Sequence, residues 1–215
     1  MSDTYQPHYE ELVKWATPEV RQAELLEARS EFFKLTGEVF DDDRQLEMRM
    51  ASFLEHYVFD RVSPNRGKTP ARELFEKLQV EDAAKAPLFE GFTQTMHGLF
   101  EVRKLGQGFV RVRELFDGDD HEVTERRMLA GLNKGDIVTA RLIPHLGSLW
   151  FSAAFVYHPP GSFKSILKEV KRRRKQEPAR PRTELIYDCA RRSLKADRYR
   201  QIAIEKIYDF VNPTV

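Results

Sequence analysis

Residues 98–158 carry β-branched and aromatic side chains interrupted at short intervals by Gly106-Gln107-Gly108, Asp117-Gly118, Gly135-Asp136 and Leu146-Gly147. Turns this closely spaced predict four or five antiparallel strands. About sixty residues of that texture close most economically into a small barrel or strongly bent sheet, which removes exposed strand edges. On both sides the apolar period is helical. The expected fold is therefore α+β, with an acidic helical segment over residues 1–95, a small antiparallel β-barrel over 96–160 and a basic helical segment over 161–215.

Helix punctuation marks the first segment. Thr17 before Pro18 and Thr69 before Pro70 read as N-caps followed by first-turn prolines, and Gly37 reads as a stop. Asp42 is expected to cap a further helix, with Gln45 completing a capping box. Leu46, Met50, Phe53, Leu54, Tyr57 and Val58 then fall on one stripe, within a bundle of three or four helices. In the last segment Phe163, Ile166, Leu167 and Val170 form an apolar stripe, with Lys164, Lys168, Lys171, Arg172, Arg173, Arg174 and Lys175 over the remaining surface. The stretch from Glu177 to Arg182, with two prolines, breaks that helix. Thr183 opens another, with a narrow buried face of Ile186, Cys189, Ala190, Ser193 and Leu194.

Charge is distributed unevenly. Over residues 1–60 six Lys/Arg stand against fourteen Asp/Glu, a net of −8, and over 164–200 fourteen stand against five, a net of +9, in a chain of formal net charge +1. Either the two ends answer each other, or a basic surface is free to meet an anionic partner. In the first case basic residues from 164–200 pack over acidic residues from 24–47. Exposed ion pairs contribute only about 0–1 kcal/mol each, so the apolar stripe would carry that docking and charge would orient it.

Several chemistries find little support. The lone Cys189 forms no internal disulfide and reads as a buried structural thiol in a reducing, cytoplasmic setting. The longest nearly apolar stretch, residues 149–157, is too short to span a bilayer as a helix, so no membrane insertion is expected. Glu38, Asp41, Asp42, Asp43 and Glu47 are hard ligands suited to a divalent cation, but they lack the spacing of a calcium loop and are accounted for at a helix start. The six histidines, at 8, 56, 97, 121, 145 and 158, have no partner at i+3 or i+4, so no metal is expected. No nucleophile elbow, phosphate loop or dinucleotide fingerprint occurs, which leaves an enzyme unmotivated and no cofactor implied.

The first hairpin is more informative. A three-residue Gly106-Gln107-Gly108 loop would pair Leu105 with Phe109, Arg103 with Arg111 and Glu101 with Arg113, with Val102 opposite Val112 on the other face. Two arginines set across from each other require an acid, an anionic ligand or full solvation. Arg103, Arg111 and Arg113, with Lys168, Lys171, Arg172, Arg173 and Arg174, are accordingly the candidate anion- or partner-binding residues.

The strings Gly98-Leu99-Phe100-Glu101-Val102-Arg103, Val112-Arg113-Glu114-Leu115, Val123-Thr124-Glu125-Arg126 and Gly135-Asp136-Ile137-Val138-Thr139-Ala140-Arg141 resemble a small β-module of uncharacterised bacterial proteins. The resemblance covers about sixty residues and implies a bacterial cytoplasmic origin, with no activity attached. A barrel also invites comparison with cyclic-dinucleotide-binding PilZ domains. Arg61 and Arg66, however, are one residue further apart than that family's Arg-x-x-x-Arg spacing, and no strand carries its second motif. The expected function is a non-enzymatic adaptor that presents a surface to another protein. The alternative is a nucleic-acid-associated protein in which helix 164–175 and the barrel arginines contact phosphates.

Overall fold

The computed structural model describes residues 4–125 and 131–211. Arg126, the last residue of the third β-module string, lies outside the described residues.

Five helices come first: α1 (Gln6–Ala16), α2 (Gln22–Thr36), α3 (Leu46–Glu55), α4 (Pro70–Glu81) and the single turn α5 (Pro87–Glu90). Their apolar stripes meet in one core containing Leu12, Phe32, Phe33, Phe53, Tyr57, Val58, Leu74 and Phe89. Thr69 caps α4 as expected, accepting from Arg72 N at 3.3 Å, with Pro70 in the first turn. Gly37 ends α2 at φ 93°, a conformation that costs glycine nothing.

Two expected caps are corrected. Thr17 is the C-cap of α1 and not a start; its Oγ1 donates to Val13 O at 2.8 Å, and Pro18 leads into a 3₁₀ turn at Glu19–Arg21. Helix α3 opens at Gln45 without a side-chain cap, while Asp43 Oδ2 accepts from Phe40 N at 2.7 Å. The loop before α3 thus uses Asp43, not Asp42, and holds it there through Arg198 (Nε to Oδ1, 2.8 Å).

After α3 the backbone widens into a π-helical turn, His56–Asp60, closed by Arg61 N donating to His56 O at 2.9 Å. Such turns insert an extra residue into the helical register. Here the turn places Tyr57 and Val58 in the helical core and directs Asp60 towards the barrel, where it meets Arg141.

The β-texture folds as expected into a small barrel. Strands β1 (Met96–Gly106), β2 (Phe109–Glu114), β3 (Asp120–Thr124), β4 (Ile137–His145) and β5 (Ser148–Phe151) run in the order β1-β2-β3-β5-β4 and close through β1–β4. β4 beside β1, followed by β2 and β3, makes a Greek key. β3 and β5 meet in parallel at Thr124 and Trp150, and a short β6 (Val156–Tyr157) adds to the outside of β4. Leu146 (φ 47°) and Gly147 (φ 78°) both adopt the left-handed conformation that a tight β4–β5 hairpin demands.

β4 is buried along nearly its whole length because both of its faces are covered. Val138, Ala140 and Leu142 fill the barrel interior with Phe100, Val102, Val112 and Phe151. Ile137 faces the C-terminal helices, whereas Ile143 enters the N-terminal core. Gly91 shows how closely the layers approach, since a Cβ there would lie 1.7 Å from Pro144 O.

Helices α6 (Phe163–Gln176), α7 (Arg182–Arg198) and the turn α8 (Ile204–Ile207) complete the chain. Ile166, Val170, Leu185, Ile186, Cys189 and Tyr208 pack on Leu99, Leu115 and Ile137 from the barrel's outer side. Cys189 is fully buried, which pushes its thiol pKa up. Among the described residues no helix is long and apolar enough to cross a membrane.

The two charged blocks meet where α7 approaches α2 and the loop before α3. α7 packs on α2 through Tyr187 and Phe32, with ring centroids 6.0 Å apart, and Arg198 pairs with Asp43. The remaining acids of α2 are neutralised locally: Arg61 reaches Glu24, Glu27 and Glu31, and Arg66 reaches Glu24 and Glu73. The expectation that basic residues from 164–200 pack over acidic residues from 24–47, carried by the apolar stripe of Phe163, Ile166, Leu167 and Val170, holds for α7 at Arg198 and Asp43 and is corrected for α6, whose stripe packs on the barrel side.

Candidate functional site

α6 has two chemically opposite faces set by its period. Ile166, Glu169, Val170 and Arg173 are buried, and Leu167, expected on the apolar stripe, is 44% exposed. Diametrically opposite, Lys164, Lys168, Lys171 and Lys175 recur at i, i+4, i+7 and i+11, which aligns them on one line. All four are exposed and none forms an ion pair among the described residues. At a helical rise of about 1.5 Å per residue the line is about 16 Å long.

Arg172 and Arg173, expected on the surface beside them, are instead occupied. Arg172 binds both oxygens of Glu169 at 2.8 Å and Glu177 Oε1 at 2.5 Å. Arg173, only 7% exposed, donates from Nε to Glu169 Oε1 at 2.8 Å. Its position follows from the spacing Ile166–Val170–Arg173, which continues the buried stripe by one turn. Arg172 and Arg180 together hold the Glu177 carboxyl down at about 2.

Where α6 gives way to α7, a cleft of about 270 Å³ opens against the β2–β3 turn. Arg173, Arg174, Arg180 and Arg182 line it together with only two carboxylates, Asp117 and Glu177. Arg182 holds Asp117 through two bonds of 2.5 Å and lies over the Phe116 ring, and Arg180 donates to Glu177 and Glu184. Arg174 forms no ion pair among the described residues, and Nη1 of Arg173 is enclosed without an acceptor. A buried charged donor left unpaired costs about 1–3 kcal/mol or more. Three of the four arginines are thus paired with carboxylates, Arg173 with Glu169, Arg180 with Glu177 and Glu184, and Arg182 with Asp117, which leaves Arg174 and the Nη1 of Arg173 without an acceptor among the described residues.

On the barrel the arginines stand differently. A bulge between Val102 and Lys104 makes Arg103 the extra residue, so the loop is two residues long, Lys104 lies opposite Arg111, and no Arg103–Arg111 pair exists. The expected pairs Glu101–Arg113 and Val102–Val112 are present. Each arginine finds a carboxylate: Arg103 with Glu101 at 2.7 Å, Arg111 with Glu122 at 2.9 Å, and Arg113 with both oxygens of Asp120 at 2.9 Å. No hydrogen bond or ion pair among the described residues joins these arginines to α6.

The tertiary fold also assembles a buried polar cluster that sequence spacing did not disclose. Arg141, 2% exposed on the outer face of β4, donates to Glu55 Oε2 (3.3 Å), Asp60 Oδ2 (2.5 Å) and Thr95 Oγ1 (2.8 Å). His56 Nδ1 lies 2.9 Å from Tyr187 Oη, and both His56 Nδ1 and His97 Nδ1 lie 4.0 Å from Asp60 Oδ2. Burial raises the Glu55 carboxyl to about 7 against the pull of Arg141, and it depresses His97 to about 3. For Asp60 burial works upward, but Arg141 and His97 outweigh it and hold the carboxyl below its ordinary value. The sequence carried little signal of it: Glu55 falls on the side of α3 opposite the Leu46–Met50–Phe53 stripe, and Arg141 lies in a strand that also holds Thr139 and His145. The cluster ties α3, the π turn, the barrel and α7 together. Among the described residues no group of His, Cys, Asp and Glu is arranged to hold a metal.

These features define an α+β protein with a closed five-stranded barrel clamped between helical layers, whose unanswered positive charge is concentrated on α6 and its C-terminal cleft. The chain belongs to a family of unknown function, DUF7986, whose match spans residues 19–185 and so covers the α2–α5 layer, the barrel and α6. No curated protein and no solved structure matches it.

Proposed function

We propose that this protein works by binding nucleic acid without sequence preference, using the lysine line of α6 as its phosphate-contacting surface in a cytoplasmic setting. The observation that carries the reading is the line itself: four exposed lysines over about 16 Å, with no acid among them. Phosphate-backbone contact needs clustered cations and little else. Protein interfaces, by contrast, are depleted in lysine and anchored by aromatic or apolar side chains, and this face offers only Leu167 beside the line. A membrane surface fits less well, because the apolar side of α6, which an interfacial helix would insert into lipid, is already used in the core. Five-stranded Greek-key barrels include oligonucleotide binders, but here the arginines of β1–β3 are matched by carboxylates, so α6 is the better contact.

Fluorescence anisotropy with a labelled single-stranded oligonucleotide and with a duplex tests this. Four lysine contacts predict a slope of about −3 to −4 in log affinity against log salt. Absence of binding at low salt, or binding indifferent to salt, overturns the reading.

A second reading, a protein-binding adaptor, has one observation in its favour. Phe40 is 59% and Tyr199 41% exposed, and Arg198, next to Tyr199 in the chain, lies 4.8 Å from the Phe40 ring. Exposed aromatic and arginine side chains of this kind are the usual anchors of protein interfaces. Capture of a lysate protein that is lost in Phe40→Ala with Tyr199→Ala, and is indifferent to the α6 lysines, would favour it.

A further inference from the structure

The cleft at the end of α6 has a different character from the lysine line. From its geometry we infer that it is a binding site for a phosphate group carried on a small molecule, independent of any contact with a nucleic-acid strand. The lysines are exposed, mobile-headed point charges on a convex surface, suited to tracking a backbone. The cleft is concave and built of guanidinium groups, which present planar, directional donors to oxygen anions.

Three observations support the assignment. Arg173 is more than nine-tenths buried, lines the cleft and has its Nη1 enclosed without an acceptor. Arg174, on the same rim, forms no ion pair among the described residues. The other two arginines are already oriented, Arg182 by both oxygens of Asp117 and Arg180 by Glu177 and Glu184, so a ligand meets a preorganised rim. Donors approaching from α6, from the α6–α7 connection and from the start of α7 suit a tetrahedral dianion with three free oxygens better than a planar carboxylate with two.

The neighbouring space indicates the rest of the ligand. Arg173 and Arg180 also border a second pocket of about 500 Å³, walled by Leu35, Pro181 and Tyr187 on its apolar side. A phosphate monoester can therefore place its charged group among the arginines and its uncharged body past Arg180 against those side chains. The site joins α2, α6, α7 and the β2–β3 turn, so occupancy would also brace the helical layers against one another.

Calorimetric titration of the full chain with inorganic phosphate, phenyl phosphate and a nucleoside monophosphate, each against chloride of equal ionic strength, tests the inference. Expected are saturable binding of all three phosphates, tighter binding of the two that carry a ring, and a loss of at least tenfold in Arg174→Ala, whose side chain forms no hydrogen bond or ion pair among the described residues. Arg173→Lys, which keeps the charge and loses the planar fork, should weaken binding as well, with folding checked by circular dichroism. Replacement of Lys164 and Lys168 by alanine should leave phosphate affinity unchanged even where it weakens oligonucleotide binding, which separates failure of this site from failure of the nucleic-acid reading. Phosphate indistinguishable from chloride, or an Arg174→Ala variant with undiminished affinity, overturns the inference. Equal affinity of inorganic phosphate and both esters overturns the role of the second pocket.

Discussion

The outer face of strands β1–β3 and the outer face of α6 are both rich in cations, yet they differ in what those cations do. On the strands, alternation places Asp120 and Glu122 directly across from Arg113 and Arg111, and each arginine is matched within one hydrogen bond. On α6 the two acids, Glu169 and Glu177, lie to the buried side and the C-terminal end, where they engage Arg172 and Arg173 and leave the lysine line unanswered. Cation content alone therefore says little about a binding surface. The decisive quantity is whether the backbone period brings an acid to the same face.

If paired cations serve the fold and unpaired ones serve binding, stability losses should rank by pairing and burial. The largest belongs to Arg141→Ala, which strands Glu55 and Asp60 in the interior and should cost about 3–5 kcal/mol in urea unfolding. A loss below about 1 kcal/mol would show that the buried cluster is not a clasp between layers.

Acid should come next. His97 and His158 are both depressed to about 3 by burial, from an ordinary 6.5. Between those values the unfolded chain takes up protons that the folded chain refuses, so stability is full above about pH 6.5 and falls as pH drops towards 3. Glu55, raised from 4.5 to about 7, acts in the opposite sense, removing stability as pH rises through that range. With two histidines against one glutamate, unfolding midpoints measured between pH 6.5 and 4.5 should decline, and His158→Gln should make the decline shallower. A midpoint that rises on acidification contradicts this assignment.

Exposed pairs should matter least to folding. Arg113→Ala removes a two-bond contact with Asp120 at the surface and should cost no more than about 1 kcal/mol, while Lys168→Ala should leave stability within about 0.5 kcal/mol of the parent. A lysine substitution that destabilises more than the Arg113 change would break the comparison.

Much of the architecture was legible in the residues. The change of apolar period at each end of residues 98–158, the Leu146-Gly147 hairpin and the Thr69-Pro70 helix start all act locally, through backbone conformation and turn chemistry. What was not legible depends on partners distant in the chain. The bulge at Arg103 is a property of two strands in register, and one extra residue sufficed to remove the expected arginine pair. Arg173 follows the period of Ile166 and Val170 and so carries a local signal of burial, but its place on a cleft wall depends on α7 and the β2–β3 turn. Within the expected helical segment 1–95 the end of α1 at Thr17 reads as a start in the sequence, because a threonine before a proline suits both a C-cap and an N-cap.

The central claim, that availability and not number of cations selects the contact surface, is tested most directly by two charge reversals measured side by side. One variant carries Lys164, Lys168, Lys171 and Lys175 changed to Glu; the other carries Arg103, Arg111 and Arg113 changed to Glu. Both are titrated with the same single-stranded oligonucleotide at one salt concentration, after circular dichroism has shown that each is folded. The account predicts a loss of about 1000-fold or more for the α6 variant, from four phosphate contacts, and a loss of less than about tenfold for the barrel variant. Equal losses, or the larger loss in the barrel variant, would contradict it.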